Sequence, residues 1–488
     1  MSINIDSSQA EVRDRRLNAI TGYDGTLKDM VSKGCCGCLK NKKRCFSTAS
    51  DCSHSIAICQ LAGVKGAVIV DHAPLGCSAG QIQFNNVFNR RAFKDAENWH
   101  ILSTNIREKD TVFGGIAKLK ATIKEAYDRY HPPVIYVISS CVAGIIGEDI
   151  DQAVSDMEKE LGISIGVAHS NGIKSKVWAS GFDDFCHAVA KTMLKKSEKR
   201  SKTVNYVGFM PFFKEYMEPF INRMGYEIIY LTAHATREDY ERACESELSF
   251  AQCGAQGGYL CGVLEQEFGI KYFVSHQPYG ISGFERFIRD IGGYLHKEDI
   301  AEEIILEERE KYKDRIEKIR ERLKGKKGVI AAGASLSNQF ARILTEYGME
   351  VLHSVSFHYD PKLDNQSADP IPEKADVDEL NLDFPTSVND LQQLEVINVL
   401  RNTKPDVLLS KVHETSIWGT RLGIPTVEFK IGMIAMGYRA FVELGERIIS
   451  EIDNANFAKR VSEHYELPFS DEYKNLKPFS FYEGGKTE

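Results

Sequence analysis

The amino-acid sequence predicts an α/β protein with three Rossmann-like domains, each a mostly parallel sheet flanked by helices. Two observations support this fold class. Short, fully apolar runs alternate with amphipathic helical stretches along most of the 488 residues, and this alternation is typical of parallel sheets covered on both faces. The chain length also corresponds to several domains of ordinary size.

The candidate elements follow one another in a regular order. Apolar runs rich in β-branched residues predict strands, and runs with helical periodicity predict helices. The predicted strands are 66–72, 133–140, 164–170, 204–210, 226–231, 271–276, 328–333, 349–355, 406–410 and 425–429. The predicted helices lie near 111–130, 148–160, 181–197, 212–224, 254–268, 283–296, 337–347, 391–402 and 434–452.

Charged segments mark the domain boundaries. The stretch 195–203 is polar, as expected of a linker, and 298–328 is a long charged helix with many i,i+4 acid–base pairs. The block 359–384 has three prolines and many acids, which predicts a long irregular excursion. We therefore expect a cysteine-rich N-terminal arm over 1–50 and α/β domains over 51–200, 201–325 and 326–488.

Composition excludes several classes of function. Charged residues make up 27% of the chain and the net charge is −8, so there is no basic surplus for a general nucleic-acid grip. No apolar run approaches the roughly 20 residues that cross a bilayer. The polar start lacks the apolar core of a signal peptide. These features predict a soluble cytoplasmic protein with neither a nucleic-acid nor a membrane partner.

Cysteine is abundant and unevenly distributed. Seven of the twelve cysteines precede residue 80. Because a reducing compartment disfavours disulfides, this density of cysteines indicates metal binding or redox chemistry. Burial as small hydrophobic residues is the simpler interpretation for Cys59, Cys186 and Cys244. The segment "CCGCLKNKKRC" (35–45) has no standard zinc spacing, which favours a flexible basic arm with incidental thiols over a zinc site.

Several chemically useful residues stand where predicted strands end. Ligands of parallel sheets bind outside the carboxyl ends of the strands, and both Cys77 and Cys141 follow such ends. Cys253 precedes a predicted helix, whose N-terminus favours the thiolate that binds metal. The other residues at strand ends are His169, Gly333 and Lys430.

The cysteine pattern is compared with three kinds of site. A cysteine nucleophile needs only one thiol with a base, and zinc prefers paired C-x-x-C clusters. Iron–sulfur ligation suits separated thiolates on loops, with small residues leaving room for sulfide. The stretches "APLGCSAG" and "SSCVAG" have such surroundings. The residues alone therefore favour iron–sulfur binding slightly over buried structural thiols.

An ordered set of motifs adds a family resemblance. The stretches "CSHSIAICQLAGVKGAVIVDHAPLGC", "TNIREKDTVFGGIAKLKATIKEAYDRY" and "SSCVAGIIGEDI" together resemble the nitrogenase component-1 alpha subunit and its relatives, from about residue 50 to 450. The resemblance implies that Cys52, Cys77 and Cys141 help hold an [8Fe-7S] P-cluster shared with a beta subunit. It also implies an α2β2 heterotetramer and an ATP-dependent iron protein as partners. Glu148 and Asp149 would lie at a helix N-terminus, where acids are favoured.

The resemblance implies a second metal site between the domains. In "FAQCGAQGGYLCGVLEQEFGIKYF", Cys253 would hold an iron–sulfur–carbide cofactor of the iron–molybdenum type. Cys261 lies about two helical turns further on and is interpreted as core packing. Gly333, in "AAGASLS", retains the small residue of a cofactor-covering loop, although the arginine expected nearby is missing.

The departures from the family pattern concern the distal end of this cofactor. "GIPTVEFK" puts Lys430 where a metal-binding histidine stands in dinitrogen-reducing members, and an ammonium cannot bind metal unless it is deprotonated. His413, in "KVHETSIWG", replaces a lysine-rich stretch and could contribute an imidazole. His169 takes the place of a glutamine near the organic acid. These departures disfavour a true nitrogenase and an ordinary molybdenum site.

Among the relatives, the chain looks most like the alpha subunit of methylthio-alkane reductase. That resemblance implies reductive cleavage of carbon–sulfur bonds in small thioethers, which releases methanethiol and an alkane or alkene. His169 and His413 are the candidate proton donors, because histidine titrates near neutral pH. The alternatives are a cofactor-assembly scaffold, an iron-only nitrogenase alpha subunit, a tetrapyrrole reductase and a plain α/β binding protein with buried thiols.

Overall fold

The structure is a computed structural model. It describes residues 16–41, 52–79, 99–208, 211, 213–361, 371–390, 392–411, 413–428 and 435–474. The chain divides into two compact units. The first unit holds the described residues within 1–18, 51–211 and 226–273, and the second holds those within 19–50, 212–225 and 274–488.

The described residues form three sheets. The strands are β1 (Tyr23–Thr26), β2 (Val68–His72), β3 (His100–Ser103), β4 (Val134–Ser139), β5 (Ser164–Ala168), β6 (Thr203–Val207), β7 (Glu227–Leu231), β8 (Leu248–Ala251), β9 (Lys271–Tyr272), β10 (Lys327–Ala332), β11 (Glu350–Ser356), β12 (Pro385–Val388), β13 (Val407–Ser410) and β14 (Thr426–Glu428). The first unit contains the sheets β3-β2-β4-β5 and β7-β6-β8-β9, and both are parallel throughout.

The second unit contains the sheet β1-β12-β11-β10-β13-β14. Its strands are parallel except for β1, which pairs with β12 in the antiparallel sense at the sheet edge. Three mostly parallel sheets with helices between successive strands confirm the predicted fold class. The division into four sequence segments remains a prediction.

The helices occupy most of the remaining described chain. They are α1 (Leu27–Cys35), α2 (Ser53–Ala62), α3 (Glu108–Phe113), α4 (Ile116–Tyr130), α5 (Cys141–Ile146), α6 (Ile150–Leu161), α7 (Ser180–Met193), α8 (Phe213–Tyr216), α9 (Glu218–Arg223), α10 (Arg237–Ala243), α11 (Gly254–Phe268), α12 (Gly280–Tyr294), α13 (Glu298–Leu323), α14 (Ala334–Glu346), α15 (Pro372–Leu380), α16 (Gln393–Thr403), α17 (His413–Arg421), α18 (Gly437–Asp453), α19 (Asn456–Glu463) and α20 (Asp471–Lys474).

The core of the first sheet follows from its strand sequences. Every residue of β2 ("VIVDH") and of β4 ("VIYVIS") is buried, as expected of central parallel strands covered on both faces. The apolar faces of α4 and α6 complete the core cluster with residues such as Leu119 and Val154. On the other side, α7 packs against α2 and α11, so one helical layer joins the two sheets of this unit.

Four strands were not predicted. β1 and β12 are short and partly polar, and β3 has an exposed or half-exposed residue at every position. β8 spans only four residues, "LSFA". Within the predicted N-terminal arm, the described residues 19–41 contain β1 and α1, and the described part of the basic stretch 35–45 ends α1 and continues as a turn.

The long charged helix is present as α13. Its ion pairs reach mainly to neighbouring helices: Arg309 pairs with Glu285 of α12, Arg315 with Glu446 of α18, and Arg223 of α9 with Glu307. The predicted i,i+4 pairs are therefore mostly replaced by pairs between helices. No described helix is both long and apolar enough to cross a membrane.

Candidate iron–sulfur site

Cys52, Cys77 and Cys141, here called the cysteine triad, lie beside the carboxyl ends of β2 and β4. Cys52 is the N-cap of α2, Cys77 lies in the helical segment 75–79 that follows β2, and Cys141 is the first residue of α5, directly after β4. β2 and β4 are parallel neighbours, with His72 opposite Ser139. Because these strands end at the same sheet edge, their cysteine-bearing loops leave from one side of the sheet.

Gly172 shows how closely two of these thiols approach one another. A Cβ atom added at Gly172 would lie 3.7 Å from Cys52 Sγ and 3.6 Å from Cys141 Sγ. The neighbouring Ile173 donates its N–H to Cys141 Sγ at 3.4 Å. The two sulfurs therefore flank a residue that has no side chain, which leaves room between them.

Cys77 belongs to the same group. Burial raises the pKa of its thiol, and the nearby Asp71, Cys52 and Cys141 raise it further through their negative charges. Cys52 and Cys141 therefore lie near enough to Cys77 to disfavour its thiolate. A bound cation would reverse that preference, because metal binding deprotonates coordinating thiols.

A buried His54–Asp71 pair lies next to the triad residues. His54 Nε2 lies 3.0 Å from Asp71 Oδ1, and both side chains are almost fully buried. Burial lowers the pKa of His54, but Asp71 and the carbonyls of Ser139 and Ser170 outweigh that effect and raise it overall. Since Ser78 also donates to Asp71, the pair connects the residues beside Cys52 and Cys77.

A second pair, His72–Glu148, supports the loop of Cys141. His72 Nε2 lies 2.8 Å from Glu148 Oε2, and its Nδ1 lies 3.1 Å from Thr104 Oγ1. Glu148 also accepts from the backbone N–H of Gly115. Glu148 therefore lies at a helix N-terminus, as expected, and the helix is α4, whose N-cap is Gly115. For Asp149 the expectation is also confirmed, because this residue caps α6 by accepting from Gln152 N at 3.0 Å.

The triad lies beside exposed apolar side chains. Ile173 follows the glycine between the sulfurs, Ile145 is on the helix that begins at Cys141, and Leu75 lies two residues before Cys77. Val112 and Phe113 end α3, which packs against α5. More than half of each of these five side chains is exposed. A concentration of large exposed apolar residues is typical of an interaction surface.

Cys253 lies elsewhere in the first unit, at the N-terminus of α11. It is the N-cap residue, is partly buried and makes no side-chain capping bond. The side-chain oxygens of Gln252 and Gln256 on either side of it have no hydrogen-bond partner among the described residues. Such unpaired amide oxygens are unusual in a protein interior and could accept from a bound group.

The start of α11 is fixed by a buried ion pair. Arg16 Nε lies 2.9 Å from Asp183 Oδ2, and Arg16 Nη2 donates to the carbonyl of Ala255 at 3.2 Å. Cys261 is fully buried further along the helix, and burial raises its pKa well above the usual value. Its interpretation as core packing agrees with this position.

His169 follows β5 and pairs with a carboxylate. Its Nε2 lies 2.9 Å from Asp151 Oδ2, and about a third of the side chain is exposed. Both residues line a cavity of about 330 Å³, together with Asn171 and His187. Burial, helped by the charges of Lys191 and His169, lowers the pKa of His187 to about 4.

The remaining predicted site residues belong to the second unit or lie outside the description. Gly333 is the N-cap of α14, and an added Cβ would lie 3.7 Å from His358 Nε2. His413 begins α17, but its side chain lies outside the described atoms. Lys430 and Cys45 lie outside the described residues. The sequence reasoning did not identify His54, Asp71 and Gly172, although "CSH" and "VDH" carry two of them.

Comparison with solved structures defines the class of fold. The chain is similar to nitrogenase Cp1 at pH 5, with a TM-score of 0.70 and 19% sequence identity, over 95% of this chain and 98% of that chain. It is similarly related to nitrogenase Cp1 at pH 6.5, with a TM-score of 0.68. At this level of identity, these likenesses establish the fold alone.

Sequence comparison then establishes the family. The model of the nitrogenase component 1 type oxidoreductases matches residues 52–453, so the chain belongs to that family. It is 28% identical to the nitrogenase molybdenum-iron protein alpha chain of Clostridium pasteurianum, over 70% of this chain and 67% of that protein. It is 27% identical to the cofactor biosynthesis protein NifE of Methanosarcina barkeri, over 86% and 91%. The predicted family is therefore confirmed.

Proposed function

We propose that this chain is the alpha subunit of a nitrogenase-like reductase that cleaves carbon–sulfur bonds of small methylthio-alkanes. The products are methanethiol and an alkane or alkene. The observation that supports the proposal best is the grouping of the cysteine triad at one sheet edge, with Gly172 between two of its sulfurs. A reductase of this family needs such a relay site, and it is retained here although the residues of the substrate end depart from those of dinitrogen-reducing members.

The triad fits an [8Fe-7S] P-cluster shared with a beta subunit. Cys52, Cys77 and Cys141 would be this chain's ligands, and the partner would supply the others. Soft thiolates on separate loops are the usual ligands of iron–sulfur clusters. The exposed apolar side chains beside the triad suit burial against the partner subunit. When bound, the cluster relays electrons that an ATP-dependent iron protein delivers.

Cys253 fits as the thiolate ligand of an iron–sulfur–carbide cofactor, without molybdenum. A helix N-terminus favours the thiolate, and the unpaired oxygens of Gln252 and Gln256 could accept hydrogen bonds from the cofactor or the substrate. Gly333, His413 and Lys430 stay predicted cofactor-binding residues. When bound, the cofactor supplies low-potential electrons to the thioether.

The protein's own contribution to the chemistry would be protons. Cleavage of a thioether to an alkane and methanethiol consumes two electrons and two protons, one proton for the new C–H bond and one for the thiol. His169 holds a proton at the atom that faces Asp151 and, with His413, is the proposed donor. Asp151 Oδ2 lies 2.9 Å from His169 Nε2 and orients the imidazole ring.

The test is an anaerobic preparation of the complex with its beta subunit, assayed for metals and for ethyl methyl sulfide reduction with the cognate iron protein. We expect iron for roughly two eight-iron clusters per αβ unit, no molybdenum, and methanethiol release. Cys253→Ala should abolish release while the triad iron remains. Thioether reduction that survives this change would contradict the site assignment.

A second candidate function is a scaffold for cofactor assembly. The NifE relative from Methanosarcina barkeri matches over 91% of its own length, and this match supports the alternative. The same metal content without turnover of any thioether, together with transfer of the cofactor to an apo-reductase, would support the scaffold. Ammonia formation from dinitrogen would support an iron-only nitrogenase instead.

A further inference from the structure

The C-terminal end of α1 exposes three thiols outside the proposed metal sites. Cys35, Cys36 and Cys38 are all exposed, and they lie in a tight turn, Lys33–Leu39, here called the cysteine turn. Gly37 has a positive φ of 69°, a conformation that glycine adopts without strain. The N–H of Cys38 donates to Lys33 O at 2.9 Å and closes the turn.

Two of these residues interact directly. Cys36 and Cys38 are separated only by Gly37, and the Cys38 thiol donates to the carbonyl oxygen of Cys36 at 3.6 Å. Nothing lies within 4 Å of the position that a Cβ of Gly37 would take. A small molecule can therefore approach the pair from solvent. Cys35 differs, because partial burial raises the pKa of its thiol, while the charge of Lys374 on α15 acts against this increase.

The two thiols have opposite acid–base character. The hydrogen bonds from the thiol and the backbone N–H of Cys38 lower the pKa of Cys36, and Lys33 adds to this effect. The neighbouring Cys36 side chain raises the pKa of Cys38. A thiolate beside a protonated thiol is the arrangement of an attacking cysteine and its resolving partner.

We propose that Cys36 and Cys38 form a redox-active dithiol that is oxidised by small-molecule disulfides through thiol–disulfide exchange. The Cys36 thiolate attacks one sulfur of the small disulfide, forming a mixed disulfide and releasing one thiol. The Cys38 sulfur then loses its proton and attacks Cys36 Sγ, which releases the second thiol. The protein pair is oxidised by two electrons, the small disulfide is reduced by two, and the protons remain with the released thiols.

Hydrogen bonds of the surrounding chain hold the cysteine turn in place while the Cys36–Cys38 disulfide forms. The side-chain oxygen of Asn41 accepts from the N–H groups of Thr21 (3.0 Å) and Gly22 (2.8 Å), which fixes the chain on both sides of α1. β1, directly before α1, is paired with β12. Gly37, between the two cysteines, has the conformational freedom that closure of the ring requires.

The test is equilibration of the full complex with defined ratios of reduced and oxidised glutathione under anaerobic conditions. Free thiols are then alkylated, and the tryptic peptide Gly34–Lys40, which carries all three cysteines, is analysed by mass spectrometry. We expect a form that has lost two hydrogens and carries a single alkyl group. Peptides that stay fully alkylated at every ratio, or a link to Cys45 on the following peptide, would overturn the proposal.

Three matched variants assign the roles. Cys38→Ser should leave glutathione trapped on Cys36, because no thiol resolves the mixed disulfide. Cys36→Ser should slow the reaction with oxidised glutathione by about two- to threefold, because it removes the thiol whose pKa the turn lowers. Cys35→Ser should still form the internal disulfide. Loss of the disulfide in Cys35→Ser, with retention in Cys36→Ser, would overturn the assignment of the pair.

Discussion

The molecule has two groups of exposed or partly exposed cysteines, and they are built in opposite ways. The cysteine turn brings three thiols together within four consecutive residues, through local hydrogen bonds at the end of one helix. The triad brings together Cys52, Cys77 and Cys141, which are far apart in sequence, through the register of β2 and β4. The density of cysteines in the sequence therefore does not identify the metal site.

The difference lies in what holds each thiol. Beneath the triad, the buried pairs His54–Asp71 and His72–Glu148 fix the loops to the sheet. In the cysteine turn, the nearby ion pair Lys33–Asp29 is about half exposed. A rigid, preorganised set of thiols suits a cluster that must keep its geometry during electron transfer. A local, solvent-exposed pair suits reversible exchange with small molecules.

The largest effect that we predict is the loss of iron from the triad. Cys141→Ala removes a thiolate that no neighbouring residue can replace, so iron bound at this site should fall nearly to zero. Iron analysis and electron paramagnetic resonance of the anaerobic complex measure the loss. Cys36→Ala is the matched control and should leave the iron content unchanged. Equal iron loss in both variants would remove the distinction between the two groups.

The second prediction compares the scaffolds of the two groups. Asp71→Ala leaves His54 buried without its ion partner, which should lower the free energy of opening around β2 and β4 by about 3–5 kcal/mol. Lys33→Ala removes an exposed i,i+4 pair and should change the stability of α1 by no more than about 0.5 kcal/mol. Amide hydrogen exchange resolves both regions in one experiment. Similar losses in the two variants would contradict a difference in rigidity.

The sequence was sufficient to predict the strands that contain a continuous run of apolar residues. β2 and β4 are uninterrupted apolar runs, and both were predicted within two residues of their observed ends. β12 was not predicted, because "PTSV" is short and polar and becomes a strand only through its pairing with β1 and β11. Pairing between distant segments leaves no local signal of this kind.

The same limit applies to the site. The strand-end rule indicates Cys77 and Cys141, because each follows a predicted strand, whereas Cys52 is indicated by the family resemblance alone. Gly172 could not be identified in this way. It lies in the polar loop after β5, and its approach to Cys52 and Cys141 depends on the sheet order β2-β4-β5. His54 and Asp71 likewise meet only because α2 packs against β2.

A third prediction uses this glycine to sharpen the comparison. Gly172→Ala places a methyl group 3.2 Å from Cys52 Cβ and within 3.7 Å of two sulfurs. Because the added group fills the space between the thiols, iron bound at the triad should fall by roughly half while the fold is retained. Gly293→Ala is the control, because nothing lies within 4 Å of its added Cβ. Unchanged iron in Gly172→Ala would mean that the cluster does not use this space.

The smallest predicted effect concerns the pH dependence of the cysteine turn. Cys38→Ala removes the thiol that donates to Cys36, so the pKa of Cys36 should rise toward the ordinary cysteine value of about 8.5. At a fixed pH below that value, a higher pKa means less thiolate, although each thiolate becomes somewhat more nucleophilic. The rate of iodoacetamide alkylation near neutral pH should therefore fall by only about two- to threefold. Rates measured from pH 6 to 10 give the midpoint of the pH–rate curve, which is the pKa of Cys36. Cys35→Ala is the control. A midpoint that stays in place, or moves downward, would show that Cys38 does not stabilise the Cys36 thiolate and that the two thiols act independently.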